Sequence, residues 1–374
     1  EGGLQMRLKG GPNRGKETIA LHPDDIASLG IEDEVWLHAP FQPPGADAFR
    51  WLFYAANPPW TNTRLSLRAI REGQREFHLR LSNVVSFFSI YANISGFRPE
   101  HGGRRSSHVL DRWVLSELSG LVTDTTAWLD DYRIYEAARA ISGFVDGLSN
   151  WYVRRSRDRF WGEGEGTLDA LSTLYEVLDV LTRVIAPFVP FMAEAMHQRL
   201  DLPGESVHLA AWPEPASLQP LRDDALSSDM ALLRELASLG LAARSRVGVK
   251  VRQPLLATEL ILAEPTRADG LVPLLGLLKD ELNVREVHFT RDADRFVTFK
   301  VKPNYKSLGR RLGKEMKVCA GILAKADPAD VRAGVLGGGY AISLPSGALT
   351  LTEDDVVVAV EPRAHFEAAG SASA

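Results

Sequence analysis

The chain has 374 residues, 45% of them hydrophobic, and a formal net charge of −5. That length makes two or three domains with ample apolar cores, and the mild acidity excludes a protein that binds nucleic acid over its whole surface. A single cysteine, Cys319, excludes an intrachain disulfide and a cysteine-rich zinc site, which fits a reducing cytosol.

In chain order, residues 1–44 are glycine-rich and differ in texture from the rest. Residues 4–8 read as a weak strand. Residues 21–31 read as a short helix, with Pro23 in its first turn and Gly30 at its stop. Residues 34–38 read as a second strand before a proline-rich joint. From Gly45 the pattern is helical. Residues 68–91 form one segment of a bundle. Residues 109–129 place Leu110, Trp113, Val114, Leu118, Leu121, Val122, Thr125, Trp128 and Leu129 at three- and four-residue steps. A helix from Tyr135 carries Ala138, Ile141, Val145, Leu148 and Tyr152 on its stripe and ends near Trp161. Residues 168–200 are apolar on more than one side, which predicts a central helix kinked or split at Pro187 and Pro190. A proline-punctuated crossing, 202–220, precedes a helix over 223–245. Strands at 258–262, 284–289 and 296–301, with a helix over 270–282, predict a small α/β unit. The small-residue tail 368–374 predicts disorder. The start of the chain has no basic-then-apolar signal pattern, and the longest apolar run, 184–193, is far short of the ~20 residues a membrane helix needs. The expectation is a soluble, cytoplasmic protein with neither DNA nor membrane as a partner.

Several segments invite a chemical reading. Gly10-Gly11-Pro12-Asn13-Arg14-Gly15-Lys16-Glu17 has the glycine and lysine spacing of a phosphate-binding loop. Glu17 stands where that loop needs Ser or Thr for magnesium, so a plain glycine-rich turn is the better reading. The nine histidines are scattered without metal spacing, and His197 reads as a satisfied bundle residue. The pairs Asp130-Asp131 and Asp223-Asp224 fall at helix boundaries, where capping explains them. No catalytic residues and no metal ligands emerge.

The most informative stretch is 148–161, with Trp151, Tyr152, Trp161 and four arginines at the end of a helix. Guanidiniums neutralise phosphates and flat rings stack on exposed bases, so the interleaving suits a folded RNA; on charge alone it is equally a solvated basic face. At 100° per residue, Gly143, Gly147, Asn150, Arg154, Arg157 and Trp161 line one face, opposite the apolar stripe. Arg154 and Arg157 are therefore the phosphate candidates. Arg155 and Arg159 are expected to pack over the bundle's end, paired with acids. Two more basic clusters follow. Residues 243–255 run from a helix end into an extended strand and carry Lys250 and Arg252. Residues 302–317 carry Lys302, Lys306, Arg310 and Lys314, with Lys302–Lys306 and Arg310–Lys314 able to share faces if helical, and Tyr305 as a ring.

Taken in order, several motifs resemble one family. Ala56-Asn57-Pro58-Pro59-Trp60, Leu110-Asp111-Arg112-Trp113, Asn150-Trp151-Tyr152-Val153-Arg154-Arg155, Ala186-Pro187-Phe188-Val189-Pro190, Lys250-Val251-Arg252-Gln253-Pro254 and Asn304-Tyr305-Lys306-Ser307-Leu308-Gly309 are similar to isoleucyl-tRNA synthetases, class I enzymes that attach isoleucine to its tRNA. The resemblance runs from about residue 45 to about residue 360. It implies a mainly α fold: a helical-bundle anticodon-binding domain, then a small α/β C-terminal domain, after a short α/β N-terminal segment of unclear origin. The implied division is an unmatched segment 1–44, a remnant of the segment following the KMSKS loop at 45–66, the bundle 67–222, the connecting helix and α/β domain 223–360, and a disordered tail 361–374.

The resemblance also implies the partner, tRNA for isoleucine, with Arg154, Arg157, Trp161, Lys250, Arg252, Lys306, Arg310 and Lys314 as tRNA-contact residues and Trp151 and Tyr152 as structural ones. The family's HIGH-type and KMSKS-type motifs are not found in these residues. ATP and magnesium belong to the family's catalytic domain, so no cofactor is expected here and the chain is expected to be inactive alone. Three readings stay open: the tRNA-binding part of such a synthetase working with a separate catalytic portion, a stand-alone tRNA-binding protein, and an enzyme using residues 1–42. A monomer is expected.

Overall fold

The computed structural model describes residues 4–9, 34–39, 45–62, 66–98, 105–162, 164–262, 264–290 and 297–362. The helix expected over 21–31, the phosphate-loop-like turn and residues 363–374 lie outside them; Glu361 and Pro362, assigned to the disordered tail 361–374, end a strand instead. The chain forms two compact units, Glu1–Arg222 and Asp223–Ala374. The fold is mainly α.

In the first unit, β1 (Leu4–Lys9) and β2 (Glu34–Ala39) pair antiparallel with Leu4 opposite Ala39. Both were legible as strands. The bundle begins at α1 (Ala46–Ala55), where Gly45 takes a φ of 82°, a left-handed value that favours glycine. Trp51 of α1 stacks on Phe77, ring centroids 3.6 Å apart. Next come α2 (Leu67–Gly73), a π-helical turn Gln74–Leu79, and α3 (Arg80–Ile94). Helix α4 (Val109–Asp130) buries Leu110, Trp113, Val114, Leu118, Leu121, Val122 and Thr125 of the predicted stripe, while Trp128 and Leu129 at its end are half-buried. Helix α5 is Ile134–Gly147. Asp130 and Asp131 lie exposed at the C-terminal end of α4, where the orphan groups are carbonyls, so the capping role expected for that pair does not hold.

The predicted long helix over 168–200 is two: α7 (Glu165–Ile185), buried along most of its length, and α8 (Pro190–Arg199). (Helix α6, Arg157–Trp161, belongs to the site below.) Proline cannot donate within a helix, so the chain turns at Ala186-Pro187 and restarts with Pro190 in the first turn of α8. Asp47 of α1 accepts the Met192 amide at 2.8 Å, filling one of α8's unsatisfied N-terminal donors and fixing the restart. His197 is buried, its Nε2 3.1 Å from the Gly204 carbonyl, a satisfied bundle residue as its sequence context implied. The crossing segment docks on α4 through Trp212, whose Nε1 donates to the Thr126 hydroxyl at 2.9 Å.

The second unit opens with α9 (Asp224–Arg246), N-capped by the Asp223 carboxylate at 3.0 Å from the Leu226 amide. Strands β3 (Leu255–Leu260) and β4 (Val284–Phe289) pair parallel through a crossover that ends in α10 (Leu275–Leu282), the α/β unit the sequence predicted. A Cβ at Gly240 would come within 2.6 Å of Leu282, so the bare glycine lets α9 and α10 approach. Strand β5 (Val297–Pro303) pairs antiparallel with β8 (Val356–Pro362). Between them lie α11 (Tyr305–Leu312), α12 (Met316–Leu323), α13 (Pro328–Leu336) and the hairpin β6 (Tyr340–Leu344)–β7 (Gly347–Leu351). Val301, Leu308, Cys319, Leu323, Val331 and Leu351 form their core. Cys319 sits in that core as a small apolar side chain.

Candidate nucleic-acid interface

The arginine-rich stretch does not continue α5 as one α-helix. Residues Leu148–Val153 form a π-helical turn, the chain turns again at Ser156, and α6 follows. The wider i→i+5 turn breaks the 100° count. It lets Leu148, Trp151, Tyr152 and Val153 all be buried, more consecutive positions than an α-helical stripe hides. The single face predicted from Gly143 to Trp161 is corrected accordingly: Gly143 is exposed, whereas Gly147 is buried.

Past that turn the arginines divide. Arg159 donates both terminal nitrogens to Asp111, 2.7 and 2.6 Å, and the Tyr152 hydroxyl donates to the same carboxylate at 2.8 Å. Asp111 is wholly buried and the Arg159 side chain is only 19% exposed. Burial pushes the Asp111 carboxyl up, but the Arg159 fork, with hydrogen bonds from Ser106 and Tyr152, outweighs it and holds the acid below its ordinary range. Burial and the adjacent carboxylate raise the Tyr152 phenol well above its usual value. This is an acid-paired arginine at the bundle's end, as expected for Arg159. Arg155 is half-buried. Trp151 and Tyr152 are structural.

Arg154 and Arg157 are exposed, and Arg154 Nε donates to the Asn150 carbonyl at 2.9 Å, fixing its stem along the helix. Trp161 is 58% exposed. These three therefore share the outside of the same short stretch.

In the second unit the segment after α9 is a turn and not the extended strand the sequence suggested. Arg244, buried, donates to the Lys250 carbonyl at 2.6 Å and also to the Gln253 carbonyl, while Asn283 donates to the Val251 carbonyl at 2.9 Å. The clasped loop leaves Lys250 and Arg252 exposed. Arg244 and Asn283 are the site residues sequence reasoning missed. A basic residue on the last turn of a helix just before a basic loop, and an asparagine at a helix end, were the signals available.

The third cluster is also rearranged. Lys302 lies on β5 and Lys306 in the first turn of α11, so they share no helical face. Helix α11 stops at Leu312, and Gly313 takes a φ of 49°, so Lys314 stands in the following turn and not on Arg310's helical face. Lys306, Lys314 and Tyr305 are exposed; the Arg310 side chain is outside the described residues. Arg311 belongs to a different job, pairing with buried Asp355 at 3.0 Å.

Among the described residues no group of three or more acidic, histidine or cysteine side chains is placed to hold a metal, and no helix is long and apolar enough to cross a membrane. What the geometry offers within each unit is exposed basic residues on locally braced backbone, with an exposed aromatic ring, Trp161 or Tyr305, in two of the clusters.

Residues 111–261 match the anticodon-binding domain of tRNA ligases. The matched span takes in both Asp111 and the Lys250–Arg252 loop. Over most of its length the chain is similar to isoleucine–tRNA ligases: 38% identical to that of Clostridium novyi over 88% of the chain, 38% to that of Deinococcus radiodurans over 85%, and 42% to that of Clostridium kluyveri over 72%. The anticodon-binding match and the likeness to isoleucine–tRNA ligases thus fall on the same stretch of the chain. The chain spans between a quarter and a third of the length of these curated relatives, 26 to 32%.

Proposed function

We propose that this chain is the part of an isoleucine–tRNA ligase that grips the tRNA, serving the ATP-dependent attachment of isoleucine made by the whole enzyme. The observation that carries the reading is the division of the 148–161 stretch. One arginine is locked to Asp111 inside the bundle while Arg154, Arg157 and Trp161 face solvent, within a span that matches an anticodon-binding domain. Exposed guanidiniums meet phosphates and an exposed indole stacks on a splayed base. Lys250 and Arg252 on the clasped loop, and Lys306, Arg310 and Lys314 around α11, supply further phosphate contacts. The chain acts as a monomer, with the adenylate chemistry in a separate catalytic portion and no cofactor held here.

The test is a titration of the full chain with tRNA for isoleucine, tRNA for valine, and isoleucine tRNA with an altered anticodon, at one fixed salt concentration. Tighter binding of the first supports recognition through the anticodon end. Equal weak binding of all three reduces the reading to a basic surface without discrimination, and no binding at low salt removes it.

A further inference from the structure

Arg157 and Trp161 stand on α6, a helix of only five residues. A single turn fixes more backbone dihedrals than its hydrogen bonds repay, so such a helix does not hold its own place. Other elements of the first unit fix it. The Arg159 guanidinium forks onto both oxygens of Asp111 in the first turn of α4, 48 residues earlier. The Arg159 carbonyl accepts from the Thr167 hydroxyl of α7 at 2.8 Å. Phe160 is buried and meets Phe87 of α3 edge-on, ring centroids 5.0 Å apart. Trp161 packs beside Tyr91 at 6.4 Å and 35°, close to the 6.0 Å and 33° of Phe88 and Tyr175. At 100° per residue Arg157 and Trp161 lie about 40° apart on the outer side of α6, with Asp158 farther round, while Arg159 and Phe160 turn inward.

These attachments differ in kind. Ring contacts set how deep α6 sits but tolerate rotation and sliding. A two-bond fork between guanidinium and carboxylate fixes both a distance and a plane. The carboxylate cannot follow a shift of α6, because Asp111 is wholly buried and also accepts from the Tyr152 hydroxyl at 2.8 Å and from Ser106. A guanidinium reaches a phosphate over about 2.7–2.9 Å, so a small displacement of α6 ends such a contact.

We infer that Asp111, acting through Arg159, is a positioning residue for RNA contact: its buried carboxylate sets where α6 presents Arg157 to phosphate and Trp161 to a base. The inference rests on the proposed tRNA binding. It gives the buried pair a role beyond holding the bundle together, since the arginine locked inside decides the placement of the arginine and the indole left outside.

The experiment is a set of double-mutant cycles in the full chain, reading the affinity for isoleucine tRNA and its salt slope at a temperature where circular dichroism shows each variant folded. With Asp111 and Arg159 in place, Arg157→Ala should lower the slope by about one unit, and Trp161→Leu should weaken binding roughly 5- to 100-fold, the range for a lost base–aromatic stack. In an Asp111→Asn background both changes should lose most of their effect, because α6 no longer presents the two groups. Arg159→Lys is the second background. It keeps a counter-charge for Asp111 but not the fork, so it guards against misfolding and should give the same loss. A purely stabilising pair moves neither cycle, so full effects of Arg157→Ala and Trp161→Leu in either folded background overturn the inference. It is also overturned if the two changes have no effect in the wild-type chain, an outcome that leaves tRNA binding through the other clusters intact. Failure of the wild-type chain to bind tRNA at low salt overturns both readings together.

Discussion

The arginine-rich stretch of the first unit and the basic loop of the second solve the same problem with different partners. In each, one guanidinium is drawn into the structure while two other basic residues, Arg154 and Arg157 or Lys250 and Arg252, stay exposed. Arg159 is held by a carboxylate, Asp111, and Arg244 by the carbonyls of the loop it clasps. A run of basic residues is therefore not one surface. Its buried member shapes the backbone, and its exposed members carry the charge outward. The carboxylate-held arrangement ties two distant helices, whereas the carbonyl-held one ties a loop to the helix just before it.

That contrast can be broken most forcefully at Asp111. Asp111→Asn leaves the mostly buried Arg159 without its counter-charge and should destabilise the first unit by about 3–5 kcal/mol in chemical denaturation. A loss under about 1 kcal/mol would mean the pair is not what holds α6. The acid limb gives a second measurement. The folded-state pKa of Asp111 lies below its unfolded value of about 3.9, so its contribution is fully present above that value and is lost as pH falls through the folded pKa. The Asn variant should show less loss of stability than wild type below pH ~4.

Arg244→Met keeps much of the side-chain volume but removes the clasp. It should cost about 1.5–3 kcal/mol, the scale of a charged hydrogen bond, and raise amide exchange in residues 247–255 specifically. Uniform exchange across the second unit would show that Arg244 supports the unit and not the loop. Tyr152→Phe removes one hydrogen bond to the charged Asp111 and should likewise cost about 1.5–3 kcal/mol, in the first unit only.

At the small end, Arg154→Ala with Arg157→Ala should change stability by no more than ~0.5 kcal/mol. The double variant should reduce the salt slope of tRNA binding by about one unit per lost phosphate contact. Lys250→Ala with Arg252→Ala should do the same. An unchanged slope in either pair takes that pair out of the interface, and a large stability loss would put its members in the structural class beside Arg159 and Arg244.

Much of this was legible in the chain. Helix α4 has one apolar stripe over its whole length, and α7 is apolar on most sides. Their burial follows from periodicity because nothing inside them interrupts the 3.6-residue repeat. The prolines at 187 and 190 announced a break for a local reason, a missing amide donor. The sorting of Arg159 from Arg154 and Arg157 also came from spacing, because Arg159 lies beside the apolar stripe. The segments from α11 to β7 were missed. Their apolar positions are short and interrupted, and they become buried only against β5 and one another.

By itself the sequence determined the mainly helical class, the extent of its most strongly periodic helices, the likeness to isoleucine–tRNA ligases, and the kind of chemistry its basic and aromatic residues offer. These are properties of residues within a few turns of each other, or of motifs in order. The tertiary structure alone decided that Asp111 is the partner of Arg159, 48 residues away in sequence, that Arg244 curls the loop carrying Lys250 and Arg252, and that Tyr91 stands opposite Trp161. It also decided that a π-helical turn resets the face of the arginine-rich stretch. The physical reason is common to all four. Each depends on how helices and turns pack around a buried charge or ring, which the local repeat of a sequence does not specify.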